Sequence, residues 1–141
     1  MRNQQGVGLI EVLVTVLILG TSLLSLAALQ SKSLQYNHSA YLRSQANILA
    51  YDILDRVRIN RANVTSYSLA VDAAKPTGTS LAQRDMNEWL GNIETMLPGA
   101  DGGVECVAST DFCTVTIRWA EQNSSGETSE DQSEFVYTTR L

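Results

Sequence analysis

The sequence lacks a basic patch of the kind that binds nucleic acid. Ten Lys and Arg residues are outnumbered by fifteen Asp and Glu residues, which gives a formal net charge of −5. The densest group of cations, Arg56, Arg58 and Arg61, has Asp52 and Asp55 beside it. Because binding to nucleic acid depends on clustered cations that neutralise phosphates, we expect no nucleic-acid partner.

Histidine and cysteine are also scarce, which limits the chemistry that the chain can support. His38 is the single histidine, and Cys106 and Cys113 are the two cysteines. This set does not supply the four ligands of a structural zinc site. No sequence signal places a nucleophile beside His38, which falls on an apolar stripe and is expected to be a packing or interface residue. The sequence therefore predicts no enzymatic activity, no cofactor and no metal.

Proline and charge are both missing from the N-terminal part. No proline occurs between Val7 and Asn60, and Glu11 is the only charged residue between Val7 and Leu29. At about 1.5 Å per residue, a helix over residues 7–29 spans about 34 Å, enough to cross a hydrocarbon core of about 30 Å. We therefore expect one membrane-spanning helix. A signal peptide is disfavoured, because its apolar core usually covers about 7–15 residues and excludes acids.

The helical pattern continues beyond Leu29 and changes character. Apolar and aromatic residues recur at intervals of three or four, which is one face of an α-helix. We predict one helix from Val7 to about Asn60, apolar on all sides in its first half and amphipathic in its second. Asp52 and Arg56, four residues apart, are expected to form an ion pair. The apolar stripe comprises Leu34, His38, Tyr41 or Leu42, Ala46, Leu49, Ile53 and Val57.

The C-terminal half contains short elements separated by turn signals. Thr79 or Ser80 can cap a second helix, which Pro98-Gly99 ends. Alternation of apolar and polar residues predicts antiparallel strands with one buried face. The sequence thus predicts an α+β fold in a single domain. The remaining elements are a connecting loop with a turn and at most a short strand over 63–79, a flexible turn at 100–103, strands at 104–107 and 113–119, a solvated loop at 121–134 and a last strand at 135–141.

Cys106 and Cys113 lie at the two inner ends of the predicted hairpin, where the strands are close. An exported domain favours a disulfide between them, and the membrane segment favours export. Such a bridge closes a loop of eight residues, for about 2.5 kcal/mol in the loop-entropy model. The alternative is a pair of buried thiols.

An acidic cluster near the C-terminus is a candidate calcium site. It lacks the ligand spacing and the glycine of an EF-hand, so a solvated loop is the favoured interpretation. Its members are Glu127, Glu130, Asp131 and Glu134.

Glu11 calls for an explanation, because a carboxylate in a membrane helix usually has a partner and a role. If the polar leader were removed after Gly6, Val7 would carry a free amine one helical turn from Glu11. Between neighbouring chains, this amine and the Glu11 carboxylate could neutralise each other and set the axial register of a helix bundle. The alternative is that Glu11 simply reaches the lipid headgroups.

The N-terminal segment resembles a known family. Gly6 followed by VGLIEVLVTVLILG is similar to the class III leader and N-terminal segment of type IV pilins and type II secretion pseudopilins. The resemblance implies that prepilin peptidase cleaves between Gly6 and Val7 and methylates Val7, and that Glu11 supports methylation and subunit packing. The first mature residue of the family is typically Phe, and here it is Val7.

Three later blocks, 46–61, 89–104 and 115–121, resemble the PilV-type minor pilins, also called type IV pilus modification proteins. This resemblance implies a pilin-like fold, with a long N-terminal helix packed on a small antiparallel sheet. It implies a leader at 1–6, a membrane and assembly helix at 7–29 and a periplasmic domain at 30–141.

The resemblance also implies partners and a location. The partners are prepilin peptidase, the major pilin, other minor pilins and a tip adhesin, and the location is the inner membrane and later the pilus tip. The N-terminus would be cytoplasmic and the C-terminal domain periplasmic. Two alternatives stay open: a minor pseudopilin of a type II secretion system, and a membrane-anchored binding or adhesin module.

Overall fold

The computed structural model describes residues 8–121 and 132–141 of the chain. The chain divides into two units, Met1–His38 and the globular unit, Ser39–Leu141. Within the described ranges the elements are α1 (Leu9–Ile59), a 3-10 helix (Arg61–Tyr67), α2 (Leu81–Met96), β1 (Asp101–Val107), β2 (Phe112–Ala120) and β3 (Gln132–Arg140).

α1 is one continuous helix of 51 residues, which confirms the predicted helix of more than fifty. Its apolar stripe becomes buried from Leu42 onward. Leu34 and His38, which belong to the unit Met1–His38, are exposed. The buried residues of α1 are Leu42, Ala46, Leu49, Ala50, Ile53, Leu54 and Val57.

α2 begins and ends where the sequence predicts. Ser80 is its N-cap, and the Ser80 hydroxyl accepts a hydrogen bond from the Gln83 backbone N–H. The helix ends beside Leu97, directly before Pro98, which cannot continue it. Its buried face comprises Ala82, Met86, Trp89, Leu90 and Ile93.

The three strands form one antiparallel sheet in the order β1-β2-β3. The predicted α+β fold class is therefore confirmed. β3 begins at Gln132, three residues earlier than expected, and residues 122–131 of the predicted loop lie outside the described residues. Over 63–79 the predicted loop is partly the 3-10 helix, and its possible strand reduces to one bridge between Leu69 and Val104.

The predicted flexible turn at 100–103 is wrong, because Asp101–Val107 forms one strand. Gly102 pairs with Ile117, and a Cβ at Gly102 would lie 2.7 Å from side-chain carbons of both Ile93 and Trp89. Such a distance is shorter than van der Waals contact. The glycine here permits close packing of α2 against the sheet and does not mark a turn.

The inner face of the sheet closes a single core with α1 and α2. Each large apolar side chain that is fully buried contributes about 1.5–3 kcal/mol of transfer free energy. This core holds α2 and the sheet on residues 42–57 of α1. Its sheet residues are Val104, Cys106, Cys113, Val115, Ile117 and Trp119.

Candidate assembly site

The first half of α1 carries an apolar surface that no described residue covers. Every residue from Leu9 to Leu29 is exposed, including Leu9 at 80% and Leu24 at 73%. Among the described residues, α1 alone is long and apolar enough to cross a membrane, with a mean hydropathy of 2.4 over its most apolar 18 residues. A continuous apolar surface of this size needs lipid or other apolar helices around it.

The hydroxyl side chains within this segment bond to the helix itself. Each donates a hydrogen bond of 2.7–3.0 Å to a backbone carbonyl three or four residues earlier. Their donors are therefore satisfied without water, as an apolar environment requires. These residues are Thr15, Thr21, Ser22 and Ser25.

Glu11 lies in the first turn of α1, where its backbone N–H donates to the Gly8 carbonyl at 2.9 Å. The positive end of the helix dipole favours a carboxylate at this position. Within residues 8–121 and 132–141, the Glu11 carboxylate has neither a hydrogen bond nor an ion-pair partner. Gly6 and Val7, the predicted cleavage and methylation positions, lie outside the described residues. The carboxylate is thus the one charge on the apolar surface of Leu9–Leu29.

In the globular unit, Arg56 joins α1 to α2 through ion pairs. Its guanidinium lies 3.1 Å from the Glu88 carboxylate and 3.6 Å from that of Asp85, both on α2. It also lies 3.3 Å from Asp52, which confirms the predicted pair. The hydrogen bond from Arg56 lowers the pKa of Glu88, and the bond to Glu88 raises the pKa of Arg56. Sequence spacing could not predict the two α2 partners, because they belong to another helix.

Two aromatic side chains strengthen the same junction. The Tyr67 hydroxyl donates to the Asp85 carboxylate at 2.6 Å and accepts from the Asn60 amide at 3.2 Å. Burial, together with the bond to Asp85, raises the pKa of Tyr67. The Trp89 indole donates to the Leu49 carbonyl at 2.8 Å. Together these bonds join α2 to the second half of α1 and to the 3-10 helix.

A disulfide joins Cys106 and Cys113, as the sequence predicts. The two residues are direct partners across the β1-β2 hairpin, with their Cα atoms 4.1 Å apart. Asp111 in the connecting turn forms an ion pair of 2.8 Å with Arg61. The covalent bond and the ion pair fix this end of the hairpin.

Metal-ligating side chains do not cluster in the part of the chain that the structure describes. That part includes no group of three or more His, Cys, Asp or Glu residues that could hold a metal ion. His38 is exposed, and both thiols are joined in the disulfide. Of the acidic cluster, Glu134 lies 3.9 Å from Arg118. The cluster residues that lie outside the described residues are Glu127, Glu130 and Asp131.

Comparison with known families identifies both parts of the chain. Residues 28–117 match the family model described as Tt1218-like, type IV pilin Tt1218, and residues 1–27 match the prokaryotic N-terminal methylation motif. Neither the curated proteins nor the solved structures gave a match. Type IV pilins are structural proteins, not enzymes; prepilin peptidase processes them, and they associate with other pilins. Because the first match covers more than half of the sequence, this chain belongs to the Tt1218-like type IV pilin family.

Proposed function

We propose that this chain is a minor pilin of the PilV type, which joins other minor pilins in a complex that primes the pilus and remains at its tip. The observation that carries the proposal is the exposed apolar surface of Leu9–Leu29 with Glu11 as its one charge. In this proposal residues 1–6 are the leader, 7–29 anchor the chain in the membrane, and 30–141 form the periplasmic domain.

Processing would turn the membrane helix into an assembly element. Cleavage between Gly6 and Val7 gives Val7 a free amine, which the peptidase would methylate. A charged group at the centre of a membrane helix costs about 2.5–3.5 kcal/mol on insertion scales, so an opposite charge nearby lowers the cost of burying Glu11. When the Glu11 carboxylate meets the Val7 amine of a neighbouring subunit, both charges are neutralised and the axial register of the two helices is set.

The proposed location follows from the same helix. Before assembly, the chain would span the bacterial inner membrane once, with its N-terminus in the cytoplasm and its globular unit in the periplasm. After assembly it would lie at the pilus tip outside the cell. Its partners would be prepilin peptidase, the other minor pilins and the major pilin, with a tip adhesin as a further candidate.

The assignment to the PilV branch is supported by the resemblance of residues 46–61, 89–104 and 115–121. These blocks contribute the buried stretch of α1, the end of α2 with the start of β1, and the inner face of β2. A minor pseudopilin of a type II secretion system shares the leader and the long helix. The two functions therefore differ in their partners, which makes co-purification the decisive test.

The experiment uses the full chain, tagged at its C-terminus, cross-linked in native membranes and then purified. Recovery of other minor pilins and the major pilin supports the proposal, whereas recovery of secretion components favours the pseudopilin. Glu11→Ala should insert into the membrane normally and enter sheared pili poorly. Thr15→Ala, one turn further along the helix, is the matched control and should enter pili normally. Normal incorporation of the Glu11 variant would leave this carboxylate without the proposed role.

A further inference from the structure

The two edges of the sheet differ in how they are covered. At the outer edge of β1, Leu69 and Val104 exchange two backbone hydrogen bonds of 2.8 Å. No residue within 8–121 or 132–141 pairs with the outer edge of β3. An uncovered edge strand presents unpaired N–H and C=O groups that can bind another strand.

The register shows which backbone groups of β3 point outward. Because both backbone groups of Val104 bond to Leu69, Val104 and its β2 partner Val115 form a non-hydrogen-bonded pair. In an antiparallel sheet such pairs alternate with bonded ones. Val115 therefore bonds to Tyr137 of β3, and the even-numbered residues of β3 direct their N–H and C=O groups away from the sheet. These residues are Gln132, Glu134, Val136, Thr138 and Arg140.

The described residues also leave part of the inner face beside this edge exposed. Phe135 and Tyr137 are only partly buried, although they pack against the core. The Tyr137 ring lies 5.1 Å from that of Tyr51 on α1, and their hydroxyls are 3.1 Å apart. Tyr51 remains 41% exposed, and Ile48, one turn earlier on α1, is 59% exposed. The inward side chains of an added strand could therefore pack on this exposed apolar and aromatic surface.

We propose that the outer edge of β3 binds an extended segment of another pilus subunit as a fourth, antiparallel strand. Glu134 and Arg140 stand at opposite ends of the exposed face of β3, with Val136 and Thr138 between them. The complementary strand carries an acid opposite Arg140, β-branched residues opposite the central pair and a base opposite Glu134. The identification of the partner as a pilus subunit rests on the proposed function, whereas the binding edge does not.

A second copy of this chain could place opposite charges against Glu134 and Arg140, but the symmetry of the resulting pair rules it out as the partner. In an antiparallel β3–β3 pair the two-fold axis is perpendicular to the sheet, so it reverses every direction within the sheet plane. The buried stretch of α1, residues 42–57, shares the core with this sheet, and a helix layered on a sheet lies about parallel to the sheet plane. This stretch would therefore run in opposite directions in the two copies. Two such helices cannot lead to the same membrane from the same side. The partner is therefore a different chain.

The β3 sequence itself provides a probe of defined charge pattern. A labelled peptide QSEFVYTTR, which is residues 132–140, places its Arg opposite Glu134 and its Glu opposite Arg140 when it pairs antiparallel, centred on Tyr137. The charge-exchanged peptide QSRFVYTTE places like charges at both positions. We expect the first peptide to bind the full chain in detergent micelles, measured by fluorescence anisotropy. We expect the exchanged peptide to bind at least about threefold more weakly.

Val136 offers a variant that affects the edge alone. Its N–H points outward, so Val136→Pro removes an edge donor without removing a hydrogen bond to β2. We expect Val136→Pro to abolish peptide binding and Val136→Thr, which keeps the N–H, to preserve it. Circular dichroism in the near ultraviolet checks that both variants are folded. If the proline variant does not fold, a peptide with N-methylated alternate amides tests the same hydrogen bonds on the native chain and should not bind.

Three results would overturn the proposal. The first is failure of QSEFVYTTR to bind the native chain, and the second is equal binding of the two peptides or of the Val136 variants. The third is a dimer of the full chain, seen by sedimentation velocity, that Val136→Pro dissociates, because the occupant would then be a second copy. Peptide binding without recovery of pilus subunits in the co-purification would instead overturn the proposed function and leave the binding edge intact.

Discussion

The indole N–H of Trp89 on α2 donates a hydrogen bond of 2.8 Å to the backbone carbonyl of Leu49 on α1, and both residues are buried. The Leu49 carbonyl lies inside a helix, so the bond adds a second donor to an acceptor already used by the helix ladder. The Trp119 indole is equally buried, yet its nitrogen has no hydrogen-bond partner among the described residues. Trp89 therefore adds a hydrogen bond between α2 and α1, whereas Trp119 adds none to the described residues.

Trp89→Phe should lower the free energy of unfolding by about 1–3 kcal/mol, because it removes the bond to Leu49 together with packing volume. The measurement is urea unfolding of the full chain in detergent, followed by circular dichroism. Trp119→Phe is the control, since it removes similar volume without a hydrogen bond to the described residues. If the control destabilises more than Trp89→Phe, the bond to Leu49 contributes little.

Acid should weaken the junction between α1 and α2 through Glu88. Arg56 lowers the pKa of Glu88 in the folded state. The stabilisation from the Arg56–Glu88 ion pair is therefore complete above the ordinary glutamate pKa of about 4.3, and it is lost as the pH falls through the lower pKa of the folded state. Glu88→Gln should remove this part of the pH dependence and leave a shallower fall in the urea midpoint between pH 5 and about 3. Glu105→Gln, which removes a carboxylate with no ion pair in the described ranges, should keep the steeper fall.

Gly102→Ala should destabilise the globular unit by about 1–3 kcal/mol, because the new Cβ meets Ile93 and Trp89 at 2.7 Å. Gly91→Ala on α2 is the matched control, since its added Cβ has no described atom within 4 Å apart from the adjoining residues and backbone of its own helix. There the expected change is a gain of about 0.5–1 kcal/mol from helix propensity. Thermal unfolding of both variants checks the pair, and equal effects would contradict the packing at Gly102.

Removal of the disulfide should lower the free energy of unfolding by about 2.5 kcal/mol in the loop-entropy model. The variant is Cys106→Ala with Cys113→Ala, and reduction of the native protein should give a similar loss. A reductant should not affect the double variant. A native protein whose thermal midpoint is unchanged by reductant would show that the bridge contributes little to stability.

Local patterns predicted the elements that depend on neighbours in sequence. The length of α1, the cap at Ser80 and the alternation in β2 each follow from residues within a few positions of one another. The Cys106–Cys113 bridge could be predicted for the same reason, since a hairpin brings the two residues together. Glu11 was recognisable because it stands alone in an apolar run.

Features that depend on distant parts of the chain could not be predicted this way. The sequence predicts a turn at the glycines 102 and 103. The residues that crowd them in the fold, Trp89, Ile93 and Val71, are distant in sequence and could not be recognised as neighbours. The Arg56 contacts with Asp85 and Glu88 likewise cross between helices. That no described residue pairs with the outer edge of β3 becomes visible only when strand order and register are known.

The mass of the N-terminal peptide, measured on protein from native membranes and sheared pili, tests the central claim most directly. We predict that the mature chain begins at Val7, with the six-residue leader absent, and that Gly6→Ala retains the leader. A natural protein that keeps Met1, or one that begins near Leu29 without the apolar helix, would contradict the assembly role of Val7 and Glu11.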